Sequence, residues 1–384
     1  MAGSPIVVIA PDSFKGSITA PAAAAAIAQG LERVWPDGER RLCPMADGGE
    51  GTLDAVLSRG GRRGTARVHG ASGAALDAAF GLIEGDATAV IEIAQVVGLT
   101  DTDGCSVGVE RRSTRGVGEL MRDLLDAGVR NFLVGLGGSS TNDGGAGLLC
   151  ALGLKLVDAK GRDVEPTPAR LASLAQVDAS ALDPRLAGTR ITIMSDVDNP
   201  LCGSQGATAI FGPQKGVPLD RIEAIDAVLA YFAQRAEKAI GRRAKDRAGA
   251  GAAGGLGFAL LLLGGELRSG AEVVAELLGL ETALEGADWL ITGEGRSDRQ
   301  TLLGKAPFVA ARHAAAKGVP ATLISGSIDR AALPALTQHF AGCHSLAFGP
   351  ASLEETIADA ARLLSDRAEQ LARLFQAARR DASG

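Results

Sequence analysis

A run of small and polar residues near the middle of the chain has the composition of an anion-binding loop. It follows the apolar segment Phe132-Leu133-Val134-Gly135 and spans Gly137–Gly147, with Ser139, Ser140 and Asn142 inside it. Glycines let backbone N–H groups approach an anion, hydroxyl groups add donors, and the start of a following helix adds partial positive charge. The run therefore predicts a phosphate or nucleotide site, and the alternative is a long tight turn.

Two acids and one lysine follow the next apolar segments. Asp196 and Asp198 come after Ile191–Met194, and two carboxylates at this spacing can share a hard cation such as Mg²⁺. The alternative is an Asx turn ahead of Pro200. Lys215 stands in a loop flanked by glycines, where a flexible lysine suits a phosphate group as a point charge. A chance surface lysine is the competing interpretation.

Three more polar segments carry acids, cations and hydroxyl groups. The candidate substrate, phosphate or metal ligands in them are Asp12, Ser13 and Lys15 after Ile6–Ala10, Asp47 within Ala46–Thr52, and Glu294, Arg296, Asp298, Thr301 and Lys305 after Trp289–Thr292. The last segment mixes charges of both signs, which suits a small anionic substrate beside a proton acceptor. All these loops together hold no histidine. This inventory favours metal-assisted phosphoryl transfer over hydride transfer or serine hydrolysis.

The common sequence motifs of nucleotide-binding proteins and hydrolases are either absent or lack the structural context that they need. Gly304-Lys305 lacks the earlier glycine and the following hydroxyl of a P-loop, and no G-x-S-x-G occurs. Gly249–Gly254 fits G-x-G-x-x-G, but the residues before it do not form a strand pattern. A dinucleotide-binding interpretation of this segment is therefore disfavoured.

The elements that position these loops are short apolar strands that alternate with helices. The predicted strands are Ile6–Ala10, Val90–Ala94, Phe132–Gly135, Ile191–Met194, Trp289–Thr292 and Thr322–Ser325, with helices near 20–34, 116–127 and 307–317 and a long amphipathic helix at the end. This order predicts an α/β fold with mostly parallel sheets. Ligands then bind at the carboxyl ends of the strands.

Length and composition favour a two-domain soluble protein. At 384 residues, two domains are expected. Glycine clusters predict a discontinuous domain of residues 1–64 and 284–384 and an inserted domain of residues 65–283 that carries the Gly137–Gly147 run; a split into two halves is the alternative. A net charge of −6 and 13 aromatic residues argue against a nucleic-acid partner. The five cysteines lack C-x-x-C spacing, and no signal peptide or membrane span is evident. We expect a cytoplasmic location and no membrane partner.

As a set, the loops resemble those of the type 1 glycerate kinase family. The matching segments occur in the family's order and are 10–17, 46–52, 137–147, 195–203, 211–216, 251–257 and 291–305. One departure is Arg115-Gly116-Val117, where the family usually has Tyr-Gly-Thr. The resemblance implies ATP-dependent phosphorylation of D-glycerate with Mg²⁺, at the 2-hydroxyl. It also implies two α/β domains, a Rossmann-like parallel-sheet domain with the other inserted in it, and an active site in the cleft between them.

Residue roles follow as hypotheses from the chemistry of this substrate. Arg296 or Lys15 would bind the glycerate carboxylate, and Asp196 or Asp298 would accept the hydroxyl proton. Asp198 or Asp47 would hold Mg²⁺, while Lys215 and the Gly137–Asn142 segment would bind the ATP phosphates. Open alternatives are transfer to the 3-hydroxyl, another small hydroxy or sugar acid as acceptor, a kinase of the galactokinase and homoserine kinase superfamily, and a non-catalytic sugar-acid sensor. The protein would be a monomer or a homodimer.

Overall fold

The apolar runs of the sequence become the strands of two large sheets and one hairpin. The computed structural model describes residues 4–381. In this part of the chain the strands are β1 (Val7–Ile9), β2 (Arg40–Leu42), β3 (Arg62–His69), β4 (Ala75–Ile83), β5 (Thr88–Glu92), β6 (Asn131–Gly135), β7 (Lys155–Asp158), β8 (Leu174–Asp178), β9 (Arg190–Met194), β10 (Glu266–Arg268), β11 (Trp289–Ser297), β12 (Ala321–Ile328) and β13 (Gly342–Ser345).

Helices connect most of these strands. The α-helices of the described residues are α1 (Ala20–Glu32), α2 (Thr52–Leu57), α3 (Ala94–Val97), α4 (Arg115–Asp126), α5 (Ala146–Ala151), α6 (Pro168–Leu171), α7 (Ala207–Phe211), α8 (Ile222–Ile240), α9 (Leu256–Leu262), α10 (Gly270–Leu277), α11 (Leu280–Ala283), α12 (Ala306–Ala316), α13 (Leu333–Leu336), α14 (Leu353–Ala358) and α15 (Ala360–Asp381). None of the helices within residues 4–381 is both long and apolar enough to cross a membrane.

The chain divides into two compact units. The terminal unit consists of the described parts of Met1–Asp47, Asp54–Arg59 and Ala271–Gly384, and the central unit consists of Gly48–Leu53 and Gly60–Gly270. Each unit has its own large sheet and its own apolar core. The limits of independently folding domains at 64/65 and 283/284 stay a prediction.

The terminal unit is built on a five-stranded parallel sheet with the order β13-β12-β11-β1-β2. Helix α1 begins after Thr19, whose Oγ1 accepts a hydrogen bond from Ala22 N, as is usual at a helix N-terminus. The alanine-rich face of α1 packs against α15, and Gly30 allows this approach because a Cβ there would lie 2.1 Å from the Ser365 carbonyl oxygen. The sheet and these two helices share one core.

The central unit is built on a six-stranded mixed sheet with the order β10-β9-β6-β5-β4-β3. Strands β10, β9, β6 and β5 are parallel to one another, and β4 and β3 are antiparallel to their neighbours. Strands β7 and β8 form a separate antiparallel pair. The parallel strands contribute fully buried side chains such as Ile91, Phe132 and Ile193 to the core.

The predicted α/β class is confirmed, and the six predicted strands are all present within a few residues of their expected limits. Seven strands of the described residues were not predicted from the sequence, namely β2, β3, β4, β7, β8, β10 and β13. Strand β3 reads Arg-Arg-Gly-Thr-Ala-Arg-Val-His, and only Val68 of it is buried, so it lacks the apolar run by which the other strands are recognised.

Helix α4 carries the departure from the family pattern, with Val117 in the core and Arg115 exposed at the surface. Val117 is fully buried among apolar side chains. Arg115 Nε donates to Glu119 Oε1 at 2.8 Å, a contact one turn along the same helix. Gly116 faces β3 so closely that a Cβ would lie 1.7 Å from the His69 carbonyl oxygen. The helix therefore requires glycine at this position.

We expect Gly116→Ala to lower the free energy of unfolding by about 1–3 kcal/mol or more, because the added methyl group overpacks a backbone contact. Urea unfolding followed by circular dichroism measures this change. Gly188→Ala is the control, since a Cβ at Gly188 meets nothing within 4 Å. Equal stability of the two variants would contradict this description of α4.

Candidate functional site

Three carboxylates lie at the carboxyl ends of neighbouring parallel strands in the terminal unit. Asp12 follows β1, Asp47 follows β2, and Glu294 lies within β11; we call these three residues the acidic cluster. The backbone continues to pair beyond the ends of β1 and β2, since Asp12 N donates to Gly293 O at 2.8 Å and Met45 N donates to Pro11 O at 2.7 Å. The parallel sheet therefore brings the three side chains to one edge.

Burial and neighbouring carboxylates raise the pKa of two members of the acidic cluster, Asp12 and Glu294. The pKa of Asp12 is raised well above its ordinary value by burial, then by Asp47 and Glu294, while hydrogen bonds from Ser13 act against this shift. Ser13 N donates to Asp12 Oδ1 at 2.6 Å. Burial also raises the pKa of Glu294. Carboxylates that repel one another in this way are suited to hold a proton or to share a cation.

Glu294 is buried and receives hydroxyl donors. Thr301 Oγ1 donates to Glu294 Oε1 at 2.6 Å, and Ser297 Oγ donates to the same oxygen at 2.9 Å. Lys305 Nζ lies 3.8 Å from Glu294 Oε2. These groups oppose the effect of burial on the pKa of Glu294, and Asp47 adds to it. The structure thus brings together Glu294, Thr301 and Lys305, three of the predicted site residues.

Asp298 and the two predicted carboxylate-binding cations lie in the same part of the terminal unit. Asp298 caps the 3₁₀ turn Arg299–Leu302, and its Oδ1 accepts from Gln300 N at 2.8 Å. Arg296 is mostly exposed, with Nε 3.8 Å from Asp298 Oδ2. Lys15 is also exposed, and its backbone N would lie 3.2 Å from a Cβ at Gly295. Asp298 therefore has a structural role in addition to any chemical one.

The Gly137–Gly147 run, which we call the Gly/Ser loop, follows β6 in the central unit and holds the ammonium group of Lys215. Lys215 Nζ donates to Ser139 Oγ at 2.7 Å and to the Thr141 carbonyl oxygen at 2.8 Å. The side chain is buried, and Lys215 belongs to the 3₁₀ turn Pro213–Lys215. The turn and the burial fix Lys215 in place, so the competing interpretation of a chance surface lysine is wrong.

Burial lowers the pKa of Lys215 to about 7. Asp143 acts in the opposite direction, and Arg112 adds to the lowering. An ammonium group loses its hydration when it is buried, so the neutral form becomes easier to reach. A bound anion would favour the charged form again.

The other predicted residues of the Gly/Ser loop differ in their freedom to bind a ligand. Ser140 is held by Val97, whose carbonyl oxygen accepts from Ser140 N at 2.8 Å and from Ser140 Oγ at 3.0 Å. Asn142 Nδ2 donates to Thr208 Oγ1 at 3.0 Å. Asn142 Oδ1 and Thr141 Oγ1 are buried and have no hydrogen-bond partner among the described residues. Unsatisfied buried polar atoms are rare in folded proteins and are expected where a ligand binds.

Asp143 fixes the end of the Gly/Ser loop and was not among the site residues predicted from the sequence. Its Oδ2 accepts from Thr114 N and Thr114 Oγ1, both at 2.8 Å, and its Oδ1 accepts from Gly145 N at 2.9 Å. The carboxylate is buried, which raises its pKa against the effect of these donors. Its position inside the Gly/Ser loop was the only signal in the sequence.

The Gly249–Gly257 segment, whose first six residues match G-x-G-x-x-G, packs against the Gly/Ser loop. Gly144 N donates to Gly254 O at 2.9 Å. A Cβ at Gly254 would lie 2.0 Å from the Thr141 carbonyl oxygen, the same oxygen that accepts from Lys215. The neighbouring Ala253 has a φ of 52°, a conformation that costs about 1–2 kcal/mol for a residue with a side chain. These glycines serve close packing of the loop.

A second residue that the sequence analysis missed, Glu92, anchors the Gly48–Leu53 segment within the central unit. Glu92 is buried at the end of β5, and its carboxylate accepts from Gly51 N at 3.3 Å and from Leu53 N at 3.2 Å. Gly137 N also donates to Gly48 O at 3.2 Å. This segment directly follows Asp47 in the sequence, so Glu92 holds the chain next to a member of the acidic cluster.

Asp196 and Asp198 are exposed in the loop after β9. The loop is shaped by Val197 N, which donates to Ser195 Oγ at 3.2 Å, and by Asn199 Nδ2, which donates to Gln205 O at 2.8 Å. Across residues 4–381, no three or more His, Cys, Asp or Glu side chains are arranged as a metal site.

A buried lysine on a Gly/Ser loop and a carboxylate cluster at parallel strand ends give this α/β protein groups that are suited to phosphoryl transfer. The family model described as the glycerate kinase family matches residues 7–376, and the chain belongs to the glycerate kinase family. It is therefore an enzyme that transfers a phosphoryl group to an alcohol group of glycerate.

Individual relatives agree with this assignment. A glycerate kinase from Bacillus subtilis (strain 168) is 42% identical over 373 residues, which are 95% of this chain and 96% of that protein. A glycerate 2-kinase from Escherichia coli (strain K12) is 42% identical over 330 residues, 84% and 85% of the two chains. A crystal structure of a chain assigned as glycerate kinase 2 from Salmonella typhimurium LT2 is 39% identical, with a TM-score of 0.86 and coverage of 98% and 99%.

The lowered pKa of Lys215 predicts a pH dependence of stability. Above about pH 7 the folded chain loses a proton from Lys215 that the unfolded chain keeps, up to the ordinary lysine pKa of about 10.4. Because the unfolded state then binds more protons, the free energy of unfolding rises with pH in this window, by roughly 1.4 kcal/mol per pH unit. Lys215→Met removes this contribution, so the wild type should gain stability relative to the variant as the pH rises.

Urea unfolding of both proteins at several pH values tests this slope. Lys160→Met, at an exposed lysine, is the control and should follow the wild type throughout. Parallel curves for the wild type and Lys215→Met would show that Lys215 keeps its proton in the folded state.

Proposed function

We propose that this protein transfers the γ-phosphoryl group of ATP to the 2-hydroxyl of D-glycerate, with Mg²⁺, as a type 1 member of its family. The observation that carries the proposal is the buried Lys215 ammonium held against the Gly/Ser loop, because a cation in this environment is stabilised by a bound anion. The name of the E. coli relative, glycerate 2-kinase, supports the 2-hydroxyl as the acceptor.

The ATP phosphates would bind the Gly/Ser loop through Lys215, Ser139 and the two unsatisfied residues. Thr141 Oγ1 has a hydroxyl proton to donate to a phosphate oxygen. Rotation of the Asn142 amide by 180° would let Thr208 donate to Oδ1 and would free Nδ2 as a donor to the phosphate. Ser140 would contribute its position in the loop, since its side chain is already held by Val97.

Mg²⁺ fits the acidic cluster because of the chemistry of its donors. Burial, and after it repulsion from Asp47 and Glu294, raises the pKa of Asp12, and a bound cation would counter this repulsion. Mg²⁺ usually keeps several waters and takes one or two carboxylates beside phosphate oxygens, so a protein cage is not required. We propose Asp47, with Asp12 beside it, or Asp198 as its ligand. When bound, the ion neutralises charge on the phosphates.

Glycerate needs a cation for its carboxylate and a proton acceptor for its hydroxyl. We propose Lys15 and Arg296, both exposed in the terminal unit, for the carboxylate. Asp298 uses one carboxylate oxygen to cap a turn, whereas Asp196 is exposed after β9, so we propose Asp196 as the proton acceptor and Asp298 as its alternative. The further substrate- or phosphate-binding residues that we propose are Asp12, Ser13, Glu294, Thr301 and Lys305.

We also propose that the enzyme acts on these two small molecules in the cytoplasm, as a monomer or a homodimer, without nucleic-acid or membrane partners. The net charge of −6 supports the exclusion of nucleic acid.

The reaction is tested by ADP release with D-glycerate and by phosphorus NMR of the product. We expect ADP release to depend on D-glycerate and the product to be 2-phosphoglycerate. A panel of other hydroxy acids, sugar acids and homoserine serves as the control and should give much slower release. A 3-phosphoglycerate product would contradict the proposed acceptor hydroxyl. ATP binding without ADP release on any acceptor would favour a sensor.

The proton acceptor is tested by two matched variants, Asp196→Asn and Asp298→Asn. We expect Asp196→Asn to lower kcat about 100- to 10,000-fold, the usual loss when a general base is removed, with unchanged stability. Asp298→Asn should keep most of the activity, because asparagine also caps helical turns well. Steady-state kinetics at saturating ATP and glycerate measure both. The reverse result would assign the role to Asp298.

A further inference from the structure

Arg112 is a buried arginine next to the Gly/Ser loop that none of the roles above includes. Its guanidinium group donates to four backbone carbonyl oxygens: Nε to Val107 at 2.9 Å, Nη1 to Ser140 and to Lys215, both at 3.1 Å, and Nη2 to Cys105 at 3.3 Å. Within residues 4–381, no salt bridge pairs Arg112 with a carboxylate. An arginine that is buried and bonded only to carbonyl groups is unusual, because removing its charge from water is unfavourable.

Two of the four carbonyl groups belong to the segments that form the Lys215 site. Ser140 follows Ser139, whose Oγ accepts from Lys215 Nζ, and the other carbonyl belongs to Lys215 itself. One nitrogen, Nη1, therefore joins the Gly/Ser loop to the turn that carries Lys215. This link holds both ends of the contact between Lys215 Nζ and Ser139 Oγ in a fixed geometry. The planar guanidinium is suited to such a link because its donors have fixed directions.

The charge of Arg112 also acts on Lys215. Arg112 lowers the pKa of Lys215, while Asp143 raises it. The carboxylate of Asp143 is already engaged by Thr114 and by the backbone N–H groups of Gly145 and Gly147. Two buried cations thus face one buried carboxylate around the loop, and the excess positive charge favours a polyphosphate.

We propose that Arg112 is a positioning residue for the nucleotide: it fixes Lys215 against the Gly/Ser loop and supplies positive charge to the phosphate site without contacting the phosphates itself. This inference rests on the proposed binding of ATP phosphates by the loop and Lys215. Arg112 lies outside the Gly/Ser loop, yet in this proposal it sets the position of Lys215 on which ATP binding depends.

The test compares Arg112→Lys, which keeps the charge but loses the fixed directions of the donors, with Arg112→Gln, which loses both. ATP and ADP affinities are measured by isothermal titration calorimetry between about pH 6 and pH 9, together with kcat and the KM for ATP. Arg111→Gln, at the exposed neighbouring arginine, is the matched control. Lys215→Met shows how much of the pH dependence of ATP affinity comes from protonation of the nucleotide itself.

For Arg112→Lys we expect about ten- to hundredfold weaker ATP binding, the effect of losing charge-assisted hydrogen bonds, with the wild-type pH midpoint. In the wild type, affinity should fall as the pH rises above about 7, since Lys215 loses its proton in the free enzyme. Removal of the neighbouring charge in Arg112→Gln should raise the pKa of Lys215 and move this midpoint to higher pH. In both variants the KM for ATP should change more than the KM for glycerate.

Lower stability with wild-type ATP affinity and pH midpoint in both variants would overturn the proposal and leave Arg112 a purely structural role. If Arg112→Gln does not fold, the ATP affinity of Arg112→Lys is the test. An affinity of Arg112→Lys equal to that of the wild type overturns the proposal. The underlying function fails separately: if Lys215→Met binds ATP as the wild type does, the loop is not the phosphate site. Weak binding by Lys215→Met with normal binding by both Arg112 variants would refute only the role of Arg112.

Discussion

The central unit depends on one physical constraint, the burial of the Lys215 ammonium group. A buried cation needs oxygen acceptors at fixed distances, and here they are Ser139 Oγ and the Thr141 carbonyl oxygen. The left-handed backbone around Gly254 places the Thr141 carbonyl, and Asp143 ties the loop end to Thr114. Strained and tightly packed backbone of this kind persists because the surrounding structure determines it.

The terminal unit is also an α/β unit, but its parallel strands end in a cluster of carboxylates instead of a loop that holds a buried cation. Parallel strands bring Asp12, Asp47 and Glu294 to one sheet edge, and burial together with repulsion from Asp47 and Glu294 raises the pKa of Asp12. Hydroxyl donors and Lys305 limit the effect at Glu294. The terminal unit thus gathers carboxylates at a sheet edge, whereas the Gly/Ser loop of the central unit is surrounded by the buried cations Lys215 and Arg112.

The sequence predicted the α/β class, six of the thirteen strands in the described residues and the position of the Gly/Ser loop after β6, because apolar runs and glycine clusters are local signals. It did not predict the burial of Lys215, since burial depends on residues distant in the chain. Arg112 and Glu92 were missed for the same reason: each binds backbone groups of another segment, and nothing in their immediate neighbours indicates this. Asp298 was identified by its charge, but its capping role requires the observed turn.

The strand order of the terminal unit has a consequence for synthesis on the ribosome. Strand β1 pairs with β2 and with β11, whose first residue is Trp289, and α1 packs against α15 at the carboxyl end. One edge of β1 therefore stays unpaired on the ribosome until β11 has been synthesised, more than 270 residues after β1. Unpaired strand edges and exposed apolar faces promote aggregation, so the distance in sequence between β1 and β11 prolongs this hazard during synthesis.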